Sequence, residues 1–421
     1  MTSKELYKAV WHGYIYSDEA PSFLNELLID ISSRSERTQS IEVSSLLDGV
    51  FDDLCSNLVG KHFVPISGGY DSRLILYELR KRFDSHEIQT VSFGTKGQLD
   101  FDIGRELAKK LQVNHIELDL DNSNLSVDSL KSQKPFGFSP YLPDYYFNSL
   151  VRQVFYESDA NNFWSGFLGE ATTGAHHFKA NDFSEAESVF AQKQLRSKIA
   201  RKLLGDQFPT YPKPPNEFEL TIEHSEWLDL SVRQYNCIAP ILFGSDFEWS
   251  TFSGIHELKK SKFLLVPFTK KEWCSSFLSV PRREHVEQRL YKKLMLFNNP
   301  TIFDIPTKAD FGVASHRKNV KRIKKFVYRI QNKLYRELPC LFSEPRFMQN
   351  YLPLSNSVFK ESLKDIVLDL DVSSFVEAYG LSISNKALIE GIDRSNYDYI
   401  KLAADLINFT FHVTEKDKAS T

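Results

Sequence analysis

Val43, Leu46, Leu47, Val50, Phe51 and Leu54 recur at three- and four-residue intervals, so the segment 41–60 is expected to form a helix with one apolar face. The period then changes. His62 to Ile66 is a short apolar run of strand length, and Ile88-Gln89-Thr90-Val91-Ser92-Phe93 and His115 to Leu120 read as a second and a third strand. Between them, Ser72 to about Arg82 and Asp100 to Leu111 carry helical spacing. This alternation predicts a parallel sheet with crossover helices. Residues 160–168 (ANNFWSGFL) offer a further strand ending in a Gly-rich turn. From about Asn181 onward long helical patterns dominate, with Leu264-Leu265-Val266-Pro267-Phe268 as a short apolar exception. The expected fold class is therefore α/β, a parallel twisted sheet with flanking helices, followed by a mostly helical C-terminal part.

Composition narrows this picture in a few places. The 421 residues are 42% hydrophobic and 13% aromatic, enough for a large core and two packed units. A formal net charge of −3 gives no global electrostatic reason to expect nucleic acid as a partner. Cys55, Cys237, Cys274 and Cys340 lie far apart and form no CxxC pair, so neither a zinc site nor a redox pair is suggested. No run approaches about 20 uninterrupted apolar residues, and the start MTSKELYKAVWHGY lacks a signal-peptide apolar region. A reducing, cytoplasmic location is expected.

Segment 316–336 (HRKNVKRIKKFVYRIQNKLYR) is a basic helix in which Ile323, Phe326, Val327, Ile330, Leu334 and Tyr335 form an apolar face. The ordinary expectation is a surface helix docked by that face; contact with a membrane surface or an anionic partner is the alternative. The last residues, TEKDKAST, read as a frayed tail.

Chemistry concentrates where the first strand ends. In Ser67-Gly68-Gly69-Tyr70-Asp71-Ser72 two glycines permit a tight bend that turns successive N–H groups toward one anion, and the helix opening near Asp71 adds its positive end. Ser67 and Ser72 supply hydroxyl donors, and Asp71 supplies a carboxylate suited to Mg²⁺. The string resembles the SGGxDS signature of the ATP pyrophosphatase superfamily, which splits ATP between the α and β phosphates. It does not match GxxxxGK[ST], which excludes a Walker-type loop.

From about residue 45 to about 315 the chain further resembles the synthetase domain of the asparagine synthetase family, which includes β-lactam synthetases and lasso-peptide cyclases. Beside Ser67 to Ser72, the blocks are Val91-Ser92-Phe93-Gly94 followed by Asp100, Ala108 and the Leu111 to His115 segment, then Ser165-Gly166-Phe167-Leu168-Gly169-Glu170-Ala171-Thr172-Thr173-Gly174-Ala175, and finally Val266-Pro267-Phe268 with Ile305-Pro306-Thr307-Lys308-Ala309-Asp310-Phe311-Gly312. The resemblance implies an adenine nucleotide α-hydrolase fold that binds ATP and Mg²⁺. Ser67, Gly68, Gly69, Asp71 and Ser72 would hold pyrophosphate, while Ser92, Phe93, Gly94 and Gly166 would lie near the nucleotide. Asp71 and Glu170 would hold the metal. Lys308 would reach over the site, assisted by Lys292 or Lys293, between which spacing does not choose. Three units follow: 1–44 as an extension without a glutaminase site, 45–315 as the ATP pyrophosphatase domain, and 316–421 as a helical region with a short tail.

Two departures bear on the reaction. Phe167 stands where asparagine synthetases have a Glu thought to assist the attacking amine, and residue 2 is Thr2 rather than a Cys nucleophile. The expected activity is an AMP- and pyrophosphate-forming amide ligase that adenylates a small-molecule carboxylate other than aspartate and passes it to ammonia or another amine, with the amine drawn from solution, a partner or the substrate itself. No glutamine hydrolysis is expected. Relatives of this kind occur in surface-polysaccharide and natural-product biosynthesis. A peptide macrolactam cyclase, a nucleotide-binding scaffold subunit and a tRNA-modifying enzyme are the alternatives. His176 and His177 read as surface hydrogen-bonding residues, and Arg73 either adds charge near pyrophosphate or lies along its helix exterior.

Overall fold

The computed structural model describes residues 3–33 apart from 13 and 15, 43–119, 142–194, 197–204, 209–215, 222–243, 252–313, 318–338, 341–342, 357–394 apart from 379 and 381, and 396–410 apart from 397, 408 and 409. The expected tail at 414–421, Cys340 and the first residues of segment 316–336 lie outside them.

Six strands form one sheet: β1 (Lys61–Pro65), β2 (Ile88–Gly94), β3 (Asn114–Asp119), β4 (Ala160–Trp164), β5 (Ile255–Leu258) and β6 (Lys262–Leu265). Their order is β3-β2-β1-β4-β6-β5, with every pairing parallel except the β5–β6 hairpin. Burial follows composition. Phe63, Val64, Val91 and Trp164 are fully buried because helices cover both faces, the condition a parallel sheet requires. The helices Val43–Cys55, Asp71–Arg82, Leu99–Leu111 and Leu142–Glu157 supply the cover between strands. This is the expected α/β architecture, an adenine nucleotide α-hydrolase-like fold with a mainly helical C-terminal part.

Several elements differ from the pattern read in the sequence. The strand expected over 160–168 stops at Trp164, because Leu168 adopts a left-handed φ of 68° and the chain turns into a short helix, Gly169–Thr172. The antiparallel edge strand β5 was not legible; only its partner β6 shows an apolar run. At the N-terminus, helices Ser3–His12 and Ser22–Ser33 insert Leu6, Val10, Trp11, Leu24 and Leu28 into the same core as the sheet. The basic helix spans Lys318–Glu337, but its apolar face is not docked against the described residues: Ile323 and Phe326 are each 64% exposed.

His62 lies inside the sheet, fully buried, where its Nδ1 accepts a hydrogen bond from Trp164 Nε1 at 3.1 Å. Burial disfavours the imidazolium and pushes its pKa down to about 4. The unfolded chain takes up that proton near the ordinary histidine value of about 6.5, so the native state loses stability as pH falls between these two values. His62→Gln should therefore flatten an acid-side stability loss of up to about 3 kcal/mol. Urea unfolding at a series of pH values between neutrality and the acid end of this window measures the difference.

Candidate active site

The sheet order reverses between β1 and β4, since the chain runs outward from β1 through β2 and β3 and returns on the other side with β4. Parallel sheets open a crevice at the carboxyl ends of strands flanking such a point. Here the loop after β1, Ser67 to Ser72, meets the turn after β4, Ser165 to Glu170. Backbone bonds from Ile66 N–H to Val91 carbonyl (2.8 Å) and from Ser165 N–H to Leu265 carbonyl (2.9 Å) hold both exits in register. Ser92 Oγ donates to the Ile66 carbonyl at 3.4 Å, tying β2 to the base of the loop, and Gly94 ends that strand at φ 140°.

The loop is tightly bonded to itself. Ser67 N–H donates to Ser72 Oγ at 3.1 Å, and Gly69 N–H donates to Ser67 Oγ at 3.2 Å. Gly68 N–H instead donates to Asp100 Oδ1 at 3.0 Å, while Lys308 Nζ reaches the other oxygen of Asp100 at 2.5 Å. A loop amide and a lysine thus converge on one carboxylate. Lys308 N–H also donates to the Gly68 carbonyl at 2.8 Å, so the turn bearing Lys308 is stitched directly onto the glycines.

Asp71 occupies the junction. A Cβ on Gly166 would fall 2.8 Å from Asp71 Cβ, and one on Gly169 would fall 2.2 Å from its carboxyl carbon, so both turn positions must lack a side chain. Tyr291 donates its hydroxyl to Asp71 Oδ1 at 2.8 Å, and the Glu170 amide donates to the same carboxyl group. Burial and the Glu170 charge nevertheless push the Asp71 pKa well above the ordinary range. Glu170 is half exposed and lies 3.6 Å from His176 Nε2, whose interaction holds it below its usual value. Two facing carboxylates, one with a raised pKa, are an arrangement that a hard divalent cation relieves by binding oxygen. Among the described residues no cluster of three or more protein groups forms a metal site by itself. A Mg²⁺ on Asp71 and Glu170 would complete its shell with water and phosphate oxygens, as that ion usually does.

Arg73, the third residue of the helix Asp71–Arg82, points inward and is fully buried. Its guanidinium donates to the carbonyls of Ile302 (2.8 Å), Ile305 (2.5 Å) and Pro306 (2.6 Å), and burial lowers its pKa to about 10. It therefore neither faces pyrophosphate nor lies on the helix exterior; it clamps the segment that leads to Lys308. On the helix Arg289–Asn298 the two remaining candidates diverge. Lys292 sits 5.3 Å over the ring of Tyr70 in the glycine loop and donates to the Glu287 carbonyl, whereas Lys293 is mostly exposed and pairs with Glu284.

Beyond the loop a cavity of about 410 Å³ opens between the sheet and a π-helical stretch, Asp229–Ile238. Phe93, Phe163 and Phe167 line it on one side, and Arg233, Gln234 and His176 on the other. Phe167 is buried with its ring edge-on to Phe243, 5.3 Å between centroids. Arg233 Nε (2.6 Å) and Gln234 Nε2 (3.1 Å) both bond Asp229, which burial would neutralise but which Arg233 and His176 hold below the ordinary range. The wide π turn sets residues four and five positions after Asp229 side by side. His176 thus belongs to the cavity wall rather than to the surface, and His177 bonds Ser225 at 3.2 Å.

Sheet, loop and buried carboxylate together are consistent with a nucleotide-binding unit of the ATP pyrophosphatase superfamily. Residues 61–135 match the family model described as Queuosine biosynthesis protein QueC, a family of that superfamily, whose members are ATP-using enzymes. The match covers β1 to β3 and the glycine loop. Comparison with curated proteins finds no match.

Arg73→Met should lower stability by about 3 kcal/mol, because three carbonyls lose their donor inside the core; urea unfolding reads this directly. Gly169→Ala places a methyl group against the Asp71 carboxyl and should cost about 1–3 kcal/mol through overpacking. Mg²⁺-dependent ATP binding, followed by calorimetry, should fall further in that variant than in a Gly49→Ala control, where a Cβ meets open space.

Proposed function

We propose that the protein is an ATP-dependent amide ligase of the asparagine synthetase type, forming AMP and pyrophosphate. The observation that carries this reading is the convergence of the Gly68 amide and the Lys308 ammonium on one carboxylate, Asp100, with Lys308 near enough to Glu170 to lower the pKa of that carboxyl group. Those donors form the set that an oxyanion of ATP would engage, and the Asp100 carboxylate already engages it. The donors are fixed before substrate arrives, which is what makes such groups effective on developing charge.

In the first step an oxygen of the substrate carboxylate attacks the α-phosphorus, the bond from that phosphorus to the bridging oxygen breaks, and pyrophosphate leaves. Ser67, Ser72 and the Gly68 and Gly69 amides hold the leaving group, with Lys308 neutralising charge at the point of cleavage. Asp71 and Glu170 are the residues that would hold a Mg²⁺, which would supply further charge compensation. In the second step an amine attacks the acyl carbon, the bond to the phosphate oxygen breaks, AMP leaves, and the amine nitrogen gives up a proton. The cavity beside the loop offers the carboxylate an aromatic wall of Phe93, Phe163 and Phe167. Phe167 has no ionisable group, so the proton from the amine goes elsewhere; His176, 3.6 Å from Glu170, is the basic side chain of the wall nearest the metal ligands.

The test is ATP/pyrophosphate exchange driven by a panel of carboxylic acids, including uronic acids. Exchange that requires one class of acid, with Lys308→Ala slowing it roughly 100- to 1000-fold, is the expected result. ATP binding without exchange for any acid would favour a nucleotide-binding scaffold subunit, and glutamate release from glutamine would contradict the expected amine source.

A further inference from the structure

The basic helix Lys318–Glu337 is attached to the body along an unexpected stripe. With about 100° between successive residues, Lys321, Lys324, Tyr328 and Asn332 fall on one line, and all four are half-buried. Lys321 pairs with Asp310, and the Tyr328 ring lies 5.9 Å from that of Phe311, so this stripe fastens the helix to the turn that carries Lys308. Roughly opposite runs the apolar stripe. Val320, Ile323, Phe326, Val327 and Ile330 are 41, 64, 64, 44 and 43% exposed, and Leu341 continues the apolar surface just beyond the helix at 73%. Arg322, Lys325, Arg329 and Lys333 line its flank, all exposed.

We propose that this helix lies on an anionic membrane surface, with its apolar stripe buried at the boundary between headgroups and acyl chains. Two features together select a bilayer. The helix holds eight Lys and Arg against one Glu, a charge of +7 in a chain whose formal net charge is −3, so it is a concentrated cation on an otherwise acidic molecule. An aromatic and branched aliphatic stripe alongside such charge matches the two contacts an anionic interface offers at once. A second copy of the chain fits less well, because pairing these stripes would bring two +7 helices together. A nucleic acid would engage the cations but leave Ile323 and Phe326 in water. Among the described residues no helix is long and apolar enough to cross a membrane, so the contact is one of lying on the surface.

Flotation of the full chain with phosphatidylcholine vesicles containing roughly one-third phosphatidylglycerol tests this. The chain should float with them, and partitioning should fall roughly tenfold or more on pure phosphatidylcholine or at high salt. Ile323→Asp with Phe326→Asp should abolish flotation on either vesicle, and Lys325→Glu with Arg329→Glu should weaken it about tenfold on the anionic one. All four side chains are exposed, so the melting temperature should stay unchanged. Absence of flotation, or flotation indifferent to the Ile323 and Phe326 changes, overturns the proposal. So does a dimer in sedimentation that Phe326→Asp dissociates, which would assign the stripe to a second copy, and so does RNA binding that needs the cations but not Phe326.

Discussion

Asp71 carries a carboxyl group that burial beside Glu170 would neutralise, and much of the surrounding structure exists to hold it where it is. Its immediate walls are backbone, because any side chain at Gly166 or Gly169 would occupy its space. Its donors come from the Tyr291 hydroxyl and the Glu170 amide, on two segments far apart in the chain. These pieces can meet only if the strand before Asp71 lies next to the strand before Gly166, which is the β1–β4 pairing at the switch point. The sheet order, the two glycines and the buried tyrosine are thus consequences of one constraint. A buried carboxyl group must be held at the crevice among backbone walls and a tyrosine donor.

A second constraint is that a lysine must be held over the same crevice from a segment with little regular structure of its own. Ile302 to Gly312 has short turns but no long helix or strand, so its carbonyls need partners from elsewhere. Arg73 supplies three donors from inside the fold, and the Gly68 carbonyl accepts from the Lys308 amide. Both anchors belong to the element that holds Asp71. Loop, metal-ligand candidate and lysine are thus tied to one another by hydrogen bonds, which preorganises the site.

The residues of the glycine loop, the acidic turn after β4 and Lys308 were legible in the chain because their chemistry depends on local order: consecutive amides, a glycine where backbone must approach, a lysine between Pro306 and Gly312. The strands β1, β2 and β4 were legible for a similar reason, since largely buried strands read as apolar runs, whereas β3 lies at the sheet edge and has no fully buried position. Other members of the site were not. Asp100 stands in the block that follows Gly94 with no role of its own assigned, and only the fold shows its two oxygens bridging Gly68 and Lys308. Tyr291 sits between Leu290 and Lys292 with only the i, i+3, i+4 spacing of Tyr291, Leu294 and Met295 to mark a buried helix face, and that spacing does not name Asp71 as its partner. Arg233 and Gln234 gave no signal at all, because their alignment depends on a π turn that neither propensity nor periodicity reports.

By itself the sequence determined what depends on neighbours along the chain: the alternation of strands and helices, the phosphate-type loop, and the two-sided character of the basic helix. Tertiary structure decided what depends on direction in space. It placed Arg73 inward as a clamp, separated Lys292 over Tyr70 from Lys293 on the exterior, drew His176 into the cavity wall, and turned the apolar stripe of Lys318–Glu337 outward. The physical reason is common to all four. Side-chain identity fixes what a group can bond, but which partner it meets depends on the packing of segments hundreds of residues apart, and a periodic pattern reports that a face exists without reporting what it faces.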